Sequence, residues 1–128
     1  MWQPQDTADQ YGIPVHTVRL PGALAGVTDG HTIWVDDRLT LVERRCTIAH
    51  ELVHVWAGHT RHQAPKVEAW VRRTTAGLLL RDHDVHTTLR TEPTLWDAAD
   101  ALHVTVPVLT DHLTGDPQWK CSSSSASA

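Results

Sequence analysis

The chain has 128 residues, enough for one domain with a modest core and too few for two ordinary ones. Apolar residues make up 41%, with six Trp and no Phe, a globular composition that excludes wholesale disorder. A net charge of −4 removes any electrostatic case for a polyanionic partner or an acidic membrane surface, and no apolar run approaches the roughly 18 residues of a membrane span.

Residues 1–14 are polar and interrupted by proline, and they read as an arm with neither the basic start nor the apolar core of a secretory leader. A single folded domain is expected after it, over residues 15–116. Apolar and polar residues alternate from Val15 to Leu20, and Pro21-Gly22 turns the chain. A second strand is expected at His31-Thr32-Ile33-Trp34-Val35, after Asp29-Gly30, so the pair suggests a hairpin or small antiparallel sheet. Thr40-Leu41-Val42-Glu43 is a capping-box pattern. Beyond it Ile48, Leu52, Val55 and Trp56 recur at helical spacing, until Gly58 supplies a stop. Residues 66–80 predict a second helix, with apolar Val67, Trp70, Val71 and Leu78 onward. One or two further helices are expected within 94–114, and the Ser/Ala-rich stretch 117–128 is expected to be disordered. These elements predict an α+β fold: a small antiparallel sheet packed on a helical core. Cys46 and Cys121 are too few for a disulfide framework, which points to a reducing cytoplasm.

The chemistry concentrates in His50-Glu51-Leu52-Val53-His54, an H-E-x-x-H run inside the best-defined helix. Residues four apart share a helix face, so both imidazoles can ligate one tetrahedral zinc and leave room for a third protein ligand and a water. Glu51 stands one residue along and cannot ligate the same ion without distorting the helix. It can take a proton from a water that the metal activates, which is the general-base role. Shuffles of this composition give the motif by chance in only about 2–3% of cases. A purely structural zinc is the other bland alternative, but such sites fill the fourth position with Cys or His and have no use for the Glu. The expected cofactor is one zinc per chain, although a two-His, one-carboxylate set also suits Mn or Fe.

Glu68 leads the candidates for third ligand. It is one of four glutamates, lies 14 residues past His54, and sits early on the next predicted helix, from which a helix-turn-helix return can bring it back against the first. His59, His62, Asp82, His83 and His86 are the alternatives, and pairing of Glu68 with Arg72 at i+4 on a solvated face is the competing role for that carboxylate. The longer H-E-x-x-H-x-x-G-x-x-H pattern does not fit, because Thr60 occupies its last position. Cys46, four residues before His50, is expected to be a small buried thiol.

The run Glu43-Arg44-Arg45-Cys46-Thr47-Ile48-Ala49-His50-Glu51-Leu52-Val53-His54, followed by Gly58-His59, resembles the ImmA/IrrE metallopeptidases, particularly the short actinobacterial and phage versions. The resemblance implies a strand before the zinc helix, matched by Thr32-Ile33-Trp34-Val35-Asp36. It also implies a third-ligand Glu ahead of a Leu run, matched by Glu68 and Leu78-Leu79-Leu80. Trp70, Arg72, Arg73, Thr74 and Thr75 depart from the family's small residues, and Arg81 replaces a closing proline. What the resemblance implies for function is a zinc endopeptidase that cleaves repressor-type regulators of phages or mobile elements.

Residues 95–113 carry a competing reading, since they resemble a DNA-binding helix-turn-helix with His103 at the turn. Residues 82–116 hold seven acidic residues and one basic one, Arg90, whereas a DNA reader needs cations to displace counterions from phosphates. Nucleic acid is therefore a weak expectation, and docking of a protein on this segment is the better alternative.

Overall fold

A computed structural model describes residues 1–115; the Ser/Ala-rich stretch expected to be disordered lies outside them. The helix that carries the motif is α2, Leu41–Trp56. It starts as the capping box requires: the Glu43 N–H donates to Thr40 Oγ1 at 3.1 Å, and the Thr40 N–H donates to the Glu43 carboxylate at 2.9 Å. One face of α2 buries Ile48 and Leu52 against Ile33 and Val35 of strand β3, Ile33–Asp36.

The sheet has three strands in the order β1-β3-β2, with β1 at Val15–Val18 and β2 at Gly26–Thr28. The two expected strands are both present, but they do not form a hairpin. β1 runs parallel to β3, and only the three-residue β2 is antiparallel to it, so the sheet is mixed. The physical reason is the third strand. With a single β-branched apolar residue, Val27, the Gly26–Thr28 segment carries almost no periodic signal, yet it takes the edge of β3 that a hairpin partner would have used.

Residues 1–14 also differ from an arm. Pro4–Gln10 form helix α1, and Ala8 is fully buried in the α2–β3 core. Seven residues are too short for a helix to persist on propensity, so tertiary packing stabilises it. The expected second helix is present as α3, Pro65–Leu80, with Pro65 at its first turn. Three more follow: α4 at Val85–Thr91, α5 at Leu95–Ala101 and α6 at Val106–Gly115. Only α4 lacked an expectation; Asp84 caps it by accepting from the Thr87 N–H at 3.1 Å. A second core unites Cys46 and Ala49 of α2, Leu79 and Leu80 of α3, and Leu109 of α6. The architecture is α+β as expected, with α2 sandwiched between the sheet and the helical layer.

A buried turn after β3 locks the sheet to the chain before α2. The Asp36 carboxylate accepts from the Leu20 N–H at 2.9 Å and from Arg38 Nε at 2.8 Å. The Arg38 guanidinium foremost, helped by the backbone N–H donors, holds Asp36 well below the usual carboxylate range. A carboxyl depressed in the fold stabilises it fully above the unfolded value of 3.8 and loses that contribution as pH falls further. Asp36→Asn is expected to flatten the acid limb of the melting-temperature profile below that pH. An unchanged limb would show that other carboxylates govern acid unfolding.

Candidate metal centre

Local helical geometry places His50 and His54 one turn apart on the same face of α2, with ring centroids 5.0 Å apart. The chain leaves α2 and returns through residues 57–64 so that Glu68, in the first turn of α3, faces them. Glu68 Oε1 lies 3.2 Å from His54 Nε2 and 3.8 Å from His50 Nε2. One ligand atom from each of the three residues lies within 4.8 Å of the other two. Ligand atoms about 2.0–2.1 Å from a tetrahedral zinc stand roughly 3.3 Å from one another, so this donor set fits one such ion after small side-chain adjustments.

Electrostatics favour the ligating forms. Burial, then the neighbouring His54 ring, pushes the His50 imidazole down to about 4, and burial likewise lowers His54. Both shifts favour the neutral imidazole, the form that ligates a metal. Burial alone would raise Glu68. The Gln63 N–H, donating to its Oε2 at 2.7 Å, and the facing His54, His62 and His50 rings outweigh burial and keep it below its ordinary value. One carboxylate oxygen is thus tied to the backbone while the other faces the two imidazoles.

Glu51 is 7% exposed and stands outside this donor cluster. Burial, reinforced by the nearby Glu68 charge, pushes its carboxyl up to about 7. It lies beneath β2, where Gly26 makes the close approach possible: a Cβ there would sit 2.5 Å from Thr47 Cγ2 and 3.4 Å from Glu51 Cγ. Glu51 and His50 also form one wall of a hollow of about 430 Å³, whose other walls include Leu39, Cys46, Thr75 and Val108.

The other candidates sort themselves by distance. His62 Nδ1 stands 3.5 Å from Glu68 Oε2, and His59 touches His54 rather than the donor atoms, with Nδ1 to Nδ1 at 2.9 Å. Asp82, His83 and His86 do not join the cluster. Arg72 does not pair with Glu68; its Nε is 3.9 Å from Asp111 on α6. Cys46 is buried as expected, and burial raises its thiol. The Gln63 amide was invisible to sequence reading because a backbone donor carries no residue signature. His59 was visible as a histidine, and the stop at Gly58 was the clue to its position.

In the helix-turn-helix-like segment, His103 adopts a left-handed φ of 57° between α5 and α6, at the predicted turn. However, α6 buries Leu109 and Leu113, and its Val108 and Asp111 line the hollow beside Glu51. The helix that would enter a DNA groove is thus part of the enclosure of the candidate site.

Over residues 8–93 the chain matches the IrrE N-terminal-like domain, a peptidase family. That span includes α2, Glu68 and the whole sheet, and it ends before α5. No curated relative and no solved structure matches the chain at a significant level.

Proposed function

The chain belongs to the IrrE N-terminal-like peptidase family, and from that premise we propose that it is a zinc-dependent endopeptidase acting on a protein substrate. The observation that carries this reading is the convergence of His50, His54 and Glu68 beside a buried Glu51 that is not part of the donor set. His50, His54 and Glu68 would hold the ion, one per chain. A divalent zinc bound there would supply Lewis acidity to activate water and polarise the scissile carbonyl. Glu51 accepts the proton of the attacking water and passes it to the amine nitrogen as the peptide bond breaks. Its high proton affinity in the buried site suits a group that must both take and return a proton.

The open edge of the sheet suits an extended substrate. The Asp36 N–H donates to Ala25 C=O at 2.8 Å, so in the antiparallel alternation Val27 faces β3 while Gly26 and Thr28 turn their backbone groups outward. A peptide laid along that edge pairs with β2 directly over Glu51 and sends a side chain into the hollow beside it. Resemblance to the ImmA/IrrE proteins supports a repressor-type regulator of a phage or mobile element as that substrate, cleaved in the cytoplasm. No helix among the described residues is long and apolar enough to cross a membrane. Protein docking on 95–113 is the second reading, and the exposed Trp96 on α5, 74% accessible, favours it over DNA binding.

The test is metal content per chain after zinc loading, for wild type and for His54→Ala and Glu68→Ala. About one zinc in wild type, lost in both variants, is the expected result. No zinc in wild type would sink the peptidase reading, and zinc retained by Glu68→Ala alone would move the third ligand elsewhere.

A further inference from the structure

The C-terminal cap of α2 brings a histidine onto the back of a ligand. Gly58 takes a left-handed φ of 78°, which reverses the chain just past Ala57. The Gly58 N–H then donates to Val55 C=O at 3.1 Å, and the His59 N–H donates to His54 C=O at 2.9 Å. That pair of bonds is a Schellman motif, in which the residue after the left-handed one lies over the residue five before it. Such motifs usually place an apolar contact between those two positions. Here the contact is polar: His54 Nδ1 and His59 Nδ1 are 2.9 Å apart, with the rings tilted at 59°.

We propose that His59 is a positioning residue for the metal centre: it accepts a hydrogen bond from His54 Nδ1–H and so fixes the tautomer and ring angle that aim His54 Nε2 at His50 and Glu68. A neutral imidazole carries one N–H. If Nε2 is to offer its lone pair to a metal, the proton must be on Nδ1. The 2.9 Å contact then requires His59 Nδ1 to be the acceptor and His59 Nε2 to carry the other hydrogen. The ligating histidines of metal sites gain basicity and orientation from such partners, and their loss weakens metal binding by about 10–100-fold. The helix stop thus has two tasks, ending α2 and completing the shell behind one of its ligands. This inference rests on the metal reading above and adds a residue to it.

The experiment compares zinc affinity, by competition with a chromophoric chelator, for wild type, His59→Leu and His59→Asn. Leu keeps the bulk and supplies the apolar contact usual in this motif, but it has no acceptor. Asn places a carbonyl oxygen at the δ position, where the His59 nitrogen stood. The expected result is about 10–100-fold weaker zinc binding by the Leu variant and recovery of most of that loss by Asn. Three equal affinities would overturn the proposal, and so would equal weakening in both variants, which is what a packing role predicts. No zinc binding by wild type would overturn the metal reading and this inference with it, whereas the other outcomes bear on His59 alone.

Discussion

Glu51→Gln is expected to lower peptide hydrolysis by roughly 10²–10⁴-fold while leaving about one zinc per chain. The side chain keeps its length and its place beneath β2, but an amide cannot accept the proton of an attacking water. Because Glu51 lies outside the donor cluster, its replacement removes no ligand. The measurement pairs turnover of a fluorogenic peptide library with metal content of the same preparation. Full turnover would remove Glu51 from the base role, and loss of zinc would make it a ligand. Inactivity with metal retained separates this carboxylate from Glu68, whose loss is expected to take the metal with it.

The second large effect concerns a residue inside the same motif that does no chemistry. Leu52→Ala is expected to cost about 2–5 kcal/mol of stability and to lower the melting temperature by roughly 10 °C or more. Leu52 lies two residues from each motif histidine, and about 100° per helical residue sends it to the opposite face of α2. There it is fully buried against Ile33, Val35, Ile48 and Ala8, the cluster that joins α2 to the sheet and to α1. The cavity left by truncation is lined by strands and helix that pack on both sides of it, so collapse is limited. Melting of the metal-free protein in the presence of chelator is the proper readout, because a bound metal would add its own stabilisation. A loss well under 1 kcal/mol would mean that the α2–sheet interface repacks freely.

These two residues also show how far the sequence reaches. What it determined alone was local: the Thr40–Glu43 capping box, the apolar stripe through Ile48 and Leu52, and the pairing of His50 with His54 on the other face. All of these are set by covalent spacing along one helix, and separations of three and four residues mean the same thing in any helical context. The β1 and β3 segments were legible by composition, and α3 by its apolar spacing. Their partners were not, because a strand's register and neighbour are chosen by competition among distant segments. Gly26–Thr28 won the β3 edge through a close approach to Thr47 and Glu51 that only a glycine allows. Tertiary packing likewise stabilised α1, a seven-residue helix anchored by Ala8. The choice between Glu68 as a partner of Arg72 and Glu68 as a partner of the histidines was also tertiary. It depended on how a loop spanning the 14 residues from His54 folds back, and on Gln63 and Asp111 being where they are to claim one carboxylate oxygen and the arginine. Side-chain identities list the groups able to ligate a metal; loop closure, which costs entropy and is repaid by contacts made far along the chain, decides which of them meet.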